Sequence, residues 1–123
     1  MLNIAVVIGN LTKPVEVRAL PSGASVASFD LQVPRSGQPA DSVPVTLFEA
    51  PEAVPEWAAG EELLVVGRVR RRFFRAGGGT QSRTEVVAEK VLPLLPKEAA
   101  VAALADAGSA LDAVLTDLRP SEH

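Results

Sequence analysis

The chain has 123 residues, 47% of them hydrophobic and 22% charged, which allows one domain with a small appendage and excludes a disordered or collagen-like chain. It has no Cys, and its only His is His123, so disulfides, thiolate metal sites, thiol catalysis and His-based triads lack their raw material; neither an enzyme, a metal centre nor a cofactor is expected. Nothing at the start, Met1-Leu2-Asn3-Ile4, reads as a targeting or membrane segment, giving a cytoplasmic expectation, and a formal net charge of -3 argues at first against a nucleic-acid partner.

Over residues 1–95 short runs alternate apolar with polar at period two between Pro and Gly, the signature of an antiparallel all-β domain. The first run, Leu2 to Ile8, is apolar nearly throughout; it is expected to be a strand buried on both faces, stopping at Gly9-Asn10. Val15 to Arg18 continues as a short extended piece, and Leu20-Pro21-Ser22-Gly23 has turn chemistry. The next strand spans Ser25 to Val33, with Ala27, Phe29, Leu31 and Val33 on the core face and Pro34 ending it. Arg35 to Asp41 reads as a polar loop. From Ser42 to Glu49, Val43, Val45 and Leu47 face inward and Pro44, Thr46 and Phe48 outward, with Pro44 marking an edge or a bulge.

Ala50 to Trp57 has room for a short helix broken near Pro55, and Trp57 reads as a hydrophobic plug. Extended structure restarts after Gly60. The longest strand candidate runs from Glu61 to Arg75, and Thr80 to Leu94 returns antiparallel to it across the hairpin Ala76-Gly77-Gly78-Gly79. Gly77 to Gly79 lacks the Gly-Lys-Ser/Thr ending and following helix of a phosphate-cradling loop, so a hairpin tip is the better reading. Glu61 and Glu62 are adjacent on a strand and point to opposite sides, which disfavours a paired-carboxylate site.

Residues 1–95 carry ten basic and ten acidic side chains, and five of the basic ones lie between Arg68 and Arg75. Period two puts Leu64, Val66, Arg68, Arg70, Arg72 and Phe74 on one face, so three guanidinium groups about 7 Å apart precede an aromatic ring. That spacing suits the phosphates of a single strand, with Phe74 and Phe48 as stacking platforms. The alternative is an Arg-rich edge strand that discourages aggregation. The absence of any Glu or Asp between Arg68 and Arg75 favours the phosphate reading.

Past Pro93 and Pro96 the sequence turns Ala-rich, and Val101, Leu104, Gly108, Leu111, Leu115 and Leu118 recur at spacings of three and four, predicting an amphipathic helix stopped by Arg119-Pro120. Its stripe is read as a packing or self-association surface, its acidic polar face as wrong for a membrane. Residues 96–123 hold two basic against five acidic side chains, and so the whole net charge. Two segments follow: a barrel domain over 1–95 and an acidic helix and tail over 96–123.

The run Ile4 to Arg18, followed by Pro21-Ser22-Gly23, Ala27-Ser28-Phe29, Arg35, Val45 to Phe48, Gly60, Val65 to Arg70 and Thr84 to Ala88, resembles the bacterial single-stranded DNA-binding protein family in order and spacing over roughly residues 1–94. The resemblance implies a five-stranded OB-fold Greek-key barrel, here with a C-terminal α-helix, and a homo-oligomer, tetramer or dimer, that binds single-stranded DNA without sequence preference. Carried over position by position, the DNA-facing residues are Lys13, Arg18, Arg35, Phe48, Arg70, Arg72 and Phe74, to which the charge pattern adds Arg68 and Arg75. Ala19 and Ser42 stand where the family often has aromatics. The family's acidic tip for replication and repair partners is replaced by the helix. An OB-fold module that binds protein and has lost most DNA binding is the alternative function.

Overall fold

The computed structural model describes residues 2–49 and 57–118; the predicted short helix at 50–57, apart from Trp57, and the stop at Arg119-Pro120 lie outside them. Six strands, β1 (Ala5–Leu11), β2 (Glu16–Ala19), β3 (Ser25–Arg35), β4 (Gln38–Phe48), β5 (Glu62–Ala76) and β6 (Gly79–Pro93), precede one helix, α1 (Lys97–Asp117). They form one sheet in the order β1-β5-β6-β4-β3-β2, closed by pairing of β1 with β3. All neighbours are antiparallel except β4 and β6. β1 and β2 act as two arms of one bent first strand, and the result is the five-stranded OB-fold barrel with a C-terminal helix.

Leu11, Ala27, Phe29, Leu31, Val45, Leu47, Leu63, Val65, Val86 and Ala88 fill the barrel. Each is the inward member of an alternating pair, so the core is the direct product of period two. Trp57 meets Phe29 edge-on, ring centroids 6.1 Å apart, and plugs this core.

Four expectations change. β1 runs through Gly9-Asn10 instead of stopping there, because Gly9 serves a close approach: a Cβ on it would stand 2.6 Å from the Gln32 carbonyl oxygen of β3. Nor is β1 buried on both faces; Ala5 and Val7 pack inward while Val6 and Ile8 stay exposed. The loop expected at 35–41 is a tight hairpin turning at Ser36-Gly37, with Gly37 at φ 67°, and Pro34 is carried within β3 at a register shift that requires no ladder hydrogen bond.

The helix also packs differently from its stripe. Ala100 and Ala103, with Ala107 beside them, lie on Leu64 and Val66 of the outer wall of β5, while the Leu stripe points away. Small side chains let the helix axis come close to a sheet already crowded with branched residues.

Candidate nucleic-acid interface

β1 accompanies β5 only as far as Gly67, and β4 meets β6 only at Val86 and Val87. Beyond those points β5 and β6 continue as a two-stranded arm, closed by Gly77 and Gly78 at φ 59° and 81°, as a two-residue turn with both φ positive demands. At its root the Asn3 side chain extends the ladder of β1, accepting from the Val69 N–H at 2.9 Å and donating to the Val69 carbonyl at 2.6 Å.

The arm's register pairs Arg70 with Glu85, Arg72 with Arg83 and Phe74 with Gln81 on one face. Arg71 with Thr84, Phe73 with Ser82 and Arg75 with Thr80 occupy the other. The two faces differ in electrostatics. On the first, Arg70 donates to Glu85 Oε1 and Arg72 Nε to Glu85 Oε2, both at 3.2 Å, and the Thr46 hydroxyl donates to Oε1 at 3.0 Å. Glu85 is only 2% exposed. Burial pushes its pKa up, but the hydrogen bonds from Thr46, Arg72 and Arg70 and the charge of Arg72 outweigh that and hold the carboxyl below its ordinary value. The trio therefore presents one net positive charge, not two. Arg70 also covers the exposed Phe48 ring at 5.4 Å and Arg72 the Phe74 ring at 5.4 Å, while Arg70 Nε is buried without an acceptor.

The opposite face contains no acid. Arg71 lies 5.2 Å from the centre of the Phe73 ring and donates to Ser82 Oγ at 3.2 Å. Phe73 is 65% exposed, and among the described residues Arg68, Arg71 and Arg75 make no ion pair. Phe73 is thus a more open platform than Phe74, which is partly buried. Arg71 and Phe73 were missing from the sequence-derived set, and their signal was the same alternation on the opposite parity.

Lys13, Arg18, Ser28, Thr46, Arg72 and Arg83 share a groove of ≈ 710 Å³ on the barrel's outer wall, together with Glu16, Asp30 and Ser42. Of the expected positions, Lys13, Arg18 and Arg72 line this groove, Phe48 lies on the same face as Thr46, and Arg68, Arg70, Phe74 and Arg75 belong to the arm. Arg35 is not brought to it. It sits at the β3–β4 hairpin, 3.6 Å from Asp41.

A family model described as the single-strand binding protein family matches residues 2–94, the whole barrel. The chain belongs to this family. It is 35% identical to single-stranded DNA-binding protein 1 of Streptococcus pyogenes serotype M18 over 86% of this chain and 90% of the relative. It is 36% identical to single-stranded DNA-binding protein 2 of Staphylococcus aureus strain Mu50 over 79% of this chain and 75% of the relative. Within this family frame, Ala19 ends β2 as an exposed small residue and Ser42 lines the groove, so neither position offers a ring for stacking.

Proposed function

We propose that this chain binds single-stranded DNA without sequence preference, as a non-enzymatic cytoplasmic protein that coats or organises strands exposed in replication, recombination or repair. The observation that carries it is the arm, a projecting hairpin with Arg and Phe on both faces, continuous with a groove that holds Lys13, Arg18 and Arg72. Guanidinium groups at strand spacing neutralise phosphates, and exposed rings stack bases at roughly 1 to 3 kcal/mol each. With few rings available, phosphate contact dominates and binding weakens steeply with salt. Val6 and Ile8 leave an apolar patch on β1, which supports assembly of the barrel into a homo-oligomer, dimer or tetramer.

The test is titration of a fluorescent oligo-dT at several salt concentrations. An Arg71→Ala/Arg75→Ala variant is expected to lower the slope of log K against log salt by about 1.4, the loss of two single-strand phosphate contacts. Arg70→Ala/Arg72→Ala is the poorer probe, since it strips both cations from the buried Glu85. No binding by the unaltered protein at low salt overturns the reading, and a nuclease-insensitive protein partner in its place supports the OB-fold protein-binding alternative.

A further inference from the structure

The Leu stripe of α1 is unaccounted for by the fold. Val101, Leu104, Leu111, Leu115 and Leu118 are 39–57% exposed, and Ala107 is the last helix residue packed near the barrel. The remaining turns stand beyond it with leucines in water. Gly108, in the middle of the stripe, is equally unexplained: a Cβ there would meet nothing within 4 Å, so Ala would fit and improve the helix by about 1 kcal/mol. Among the described residues nothing requires a glycine at that place.

Both facts have one solution. The stripe positions 101, 104, 108, 111, 115 and 118 alternate three and four apart, the repeat of a coiled-coil seam. They are also symmetric about the midpoint between Ser109 and Ala110. Laid antiparallel on a copy of itself, the seam sets Val101 against Leu118, Leu104 against Leu115 and Gly108 against Leu111, with every position filled. A parallel pair would put Gly108 against Gly108 and leave a hole at the centre. The missing Cβ is then the space that receives Leu111 of the second copy.

Charge agrees with this orientation. Antiparallel pairing sets Asp117 of one helix level with Ala102 of the other and Asp106 level with Ala113, whereas a parallel pair in register would set each acid level with its own copy. The seam is flanked by Ala100, Ala105, Ala107, Asp112 and Val114, and the same symmetry sets Asp112 of one helix level with Ala107 of the other rather than with a like charge. The geometry is open as well: the barrel-bound half of one helix meets the free half of the other, which keeps the barrels at opposite ends. We infer that α1 is a self-complementary antiparallel helix pair joining two copies of this chain through an interface separate from the barrel. By length and composition the 21-residue helix would also cross a membrane. Glu98, Asp106, Asp112 and Asp117 along it and the packing of Ala100 and Ala103 on the barrel favour the second copy.

The inference does not depend on nucleic-acid binding, and the test reads it separately. Since the chain has no Cys, Leu104→Cys and Leu115→Cys variants of the full-length protein are oxidised alone and after co-expression. The expected result is a covalent dimer in the co-expressed sample and none from either variant alone. Adding Leu111→Glu to both should reduce the cross-link at least tenfold while thermal melting of the β signal is unchanged. A dimer from each variant alone establishes a parallel pair and overturns the inference. So does a cross-link that survives Leu111→Glu, or no cross-link in the mixture; flotation of that uncross-linked protein on phosphatidylglycerol vesicles would name a lipid surface as the occupant instead.

Discussion

Glu85 decides how much of the arm's positive charge is available. Replacing it with Gln keeps the shape and an acceptor for Thr46 but leaves Arg70 and Arg72 without their counter-charge. Breaking a fully buried ion pair costs about 3–5 kcal/mol, and because both arginines are partly in water the expected loss here is smaller, about 1–3 kcal/mol, measured by urea unfolding. Binding should move the opposite way: the freed guanidinium groups steepen the salt slope of oligo-dT binding. A variant that is both less stable and weaker in binding would show that Glu85 orients the arginines for DNA rather than competing for them. Acid should act on the same contact. The folded pKa of Glu85 is depressed, so its contribution is fully present above the unfolded value near 4.5 and is lost as pH falls through the lower folded value. Glu85→Gln should therefore flatten the fall in stability measured below pH 4.5. Glu85 was legible in principle: the Gly77-Gly78 turn fixes the register, and that register puts residue 85 opposite residue 70. Screening for acids along one strand overlooked the counter-ion because it comes from the neighbouring strand.

At the scale of elements, period two is sufficient where a strand has one wet face, as in β3 and β4, whereas the arm is wet on both faces and alternation alone does not choose between them. It failed where glycine and proline have tertiary reasons. Gly9 read as a stop because its purpose, letting β3 cross close by, involves a residue more than twenty positions away. Pro34 read as an end because a bulge that tolerates proline leaves no local mark. Gly67 is the sharpest case. It lies where the β5–β6 register shifts, and a Cβ there would collide with the Val87 carbonyl oxygen and stand 2.9 Å from Ala88 Cα, both of them backbone. Gly67→Ala is expected to cost about 3 kcal/mol, the upper part of the range for overpacking, since no rotamer change can relieve it. Chemical denaturation reads this directly. A cost below about 1 kcal/mol would mean that the hinge between barrel and arm shifts freely, and hydrogen exchange at Val87 and Ala88 would then rise.

At the scale of the molecule, the net charge misled because opposite charges are segregated: the arm concentrates arginine while the helix carries the acid excess. The arm and the seat of the helix are thus built on one strand. The first half of β5 supplies Leu64 and Val66 to the helix, and its second half supplies the arm's arginines. Whether the two are coupled follows from what connects them. Between Val66 and Arg68 stands Gly67, locked against β6, and the barrel core lies on the other face, so a disturbance at the helix should stop at the barrel wall. Ala103→Asp tests this by placing a charge in the buried contact between α1 and β5. Detachment of the helix uncovers Leu64 and Val66 and, at about 25 cal/mol per Å² of apolar surface, should lower unfolding stability by about 1–3 kcal/mol. Oligo-dT affinity at a temperature where the protein remains folded should stay within twofold. A larger loss would show that the arm's geometry depends on the helix clamping β5 at its other end, and the two halves of the strand would then act as one lever.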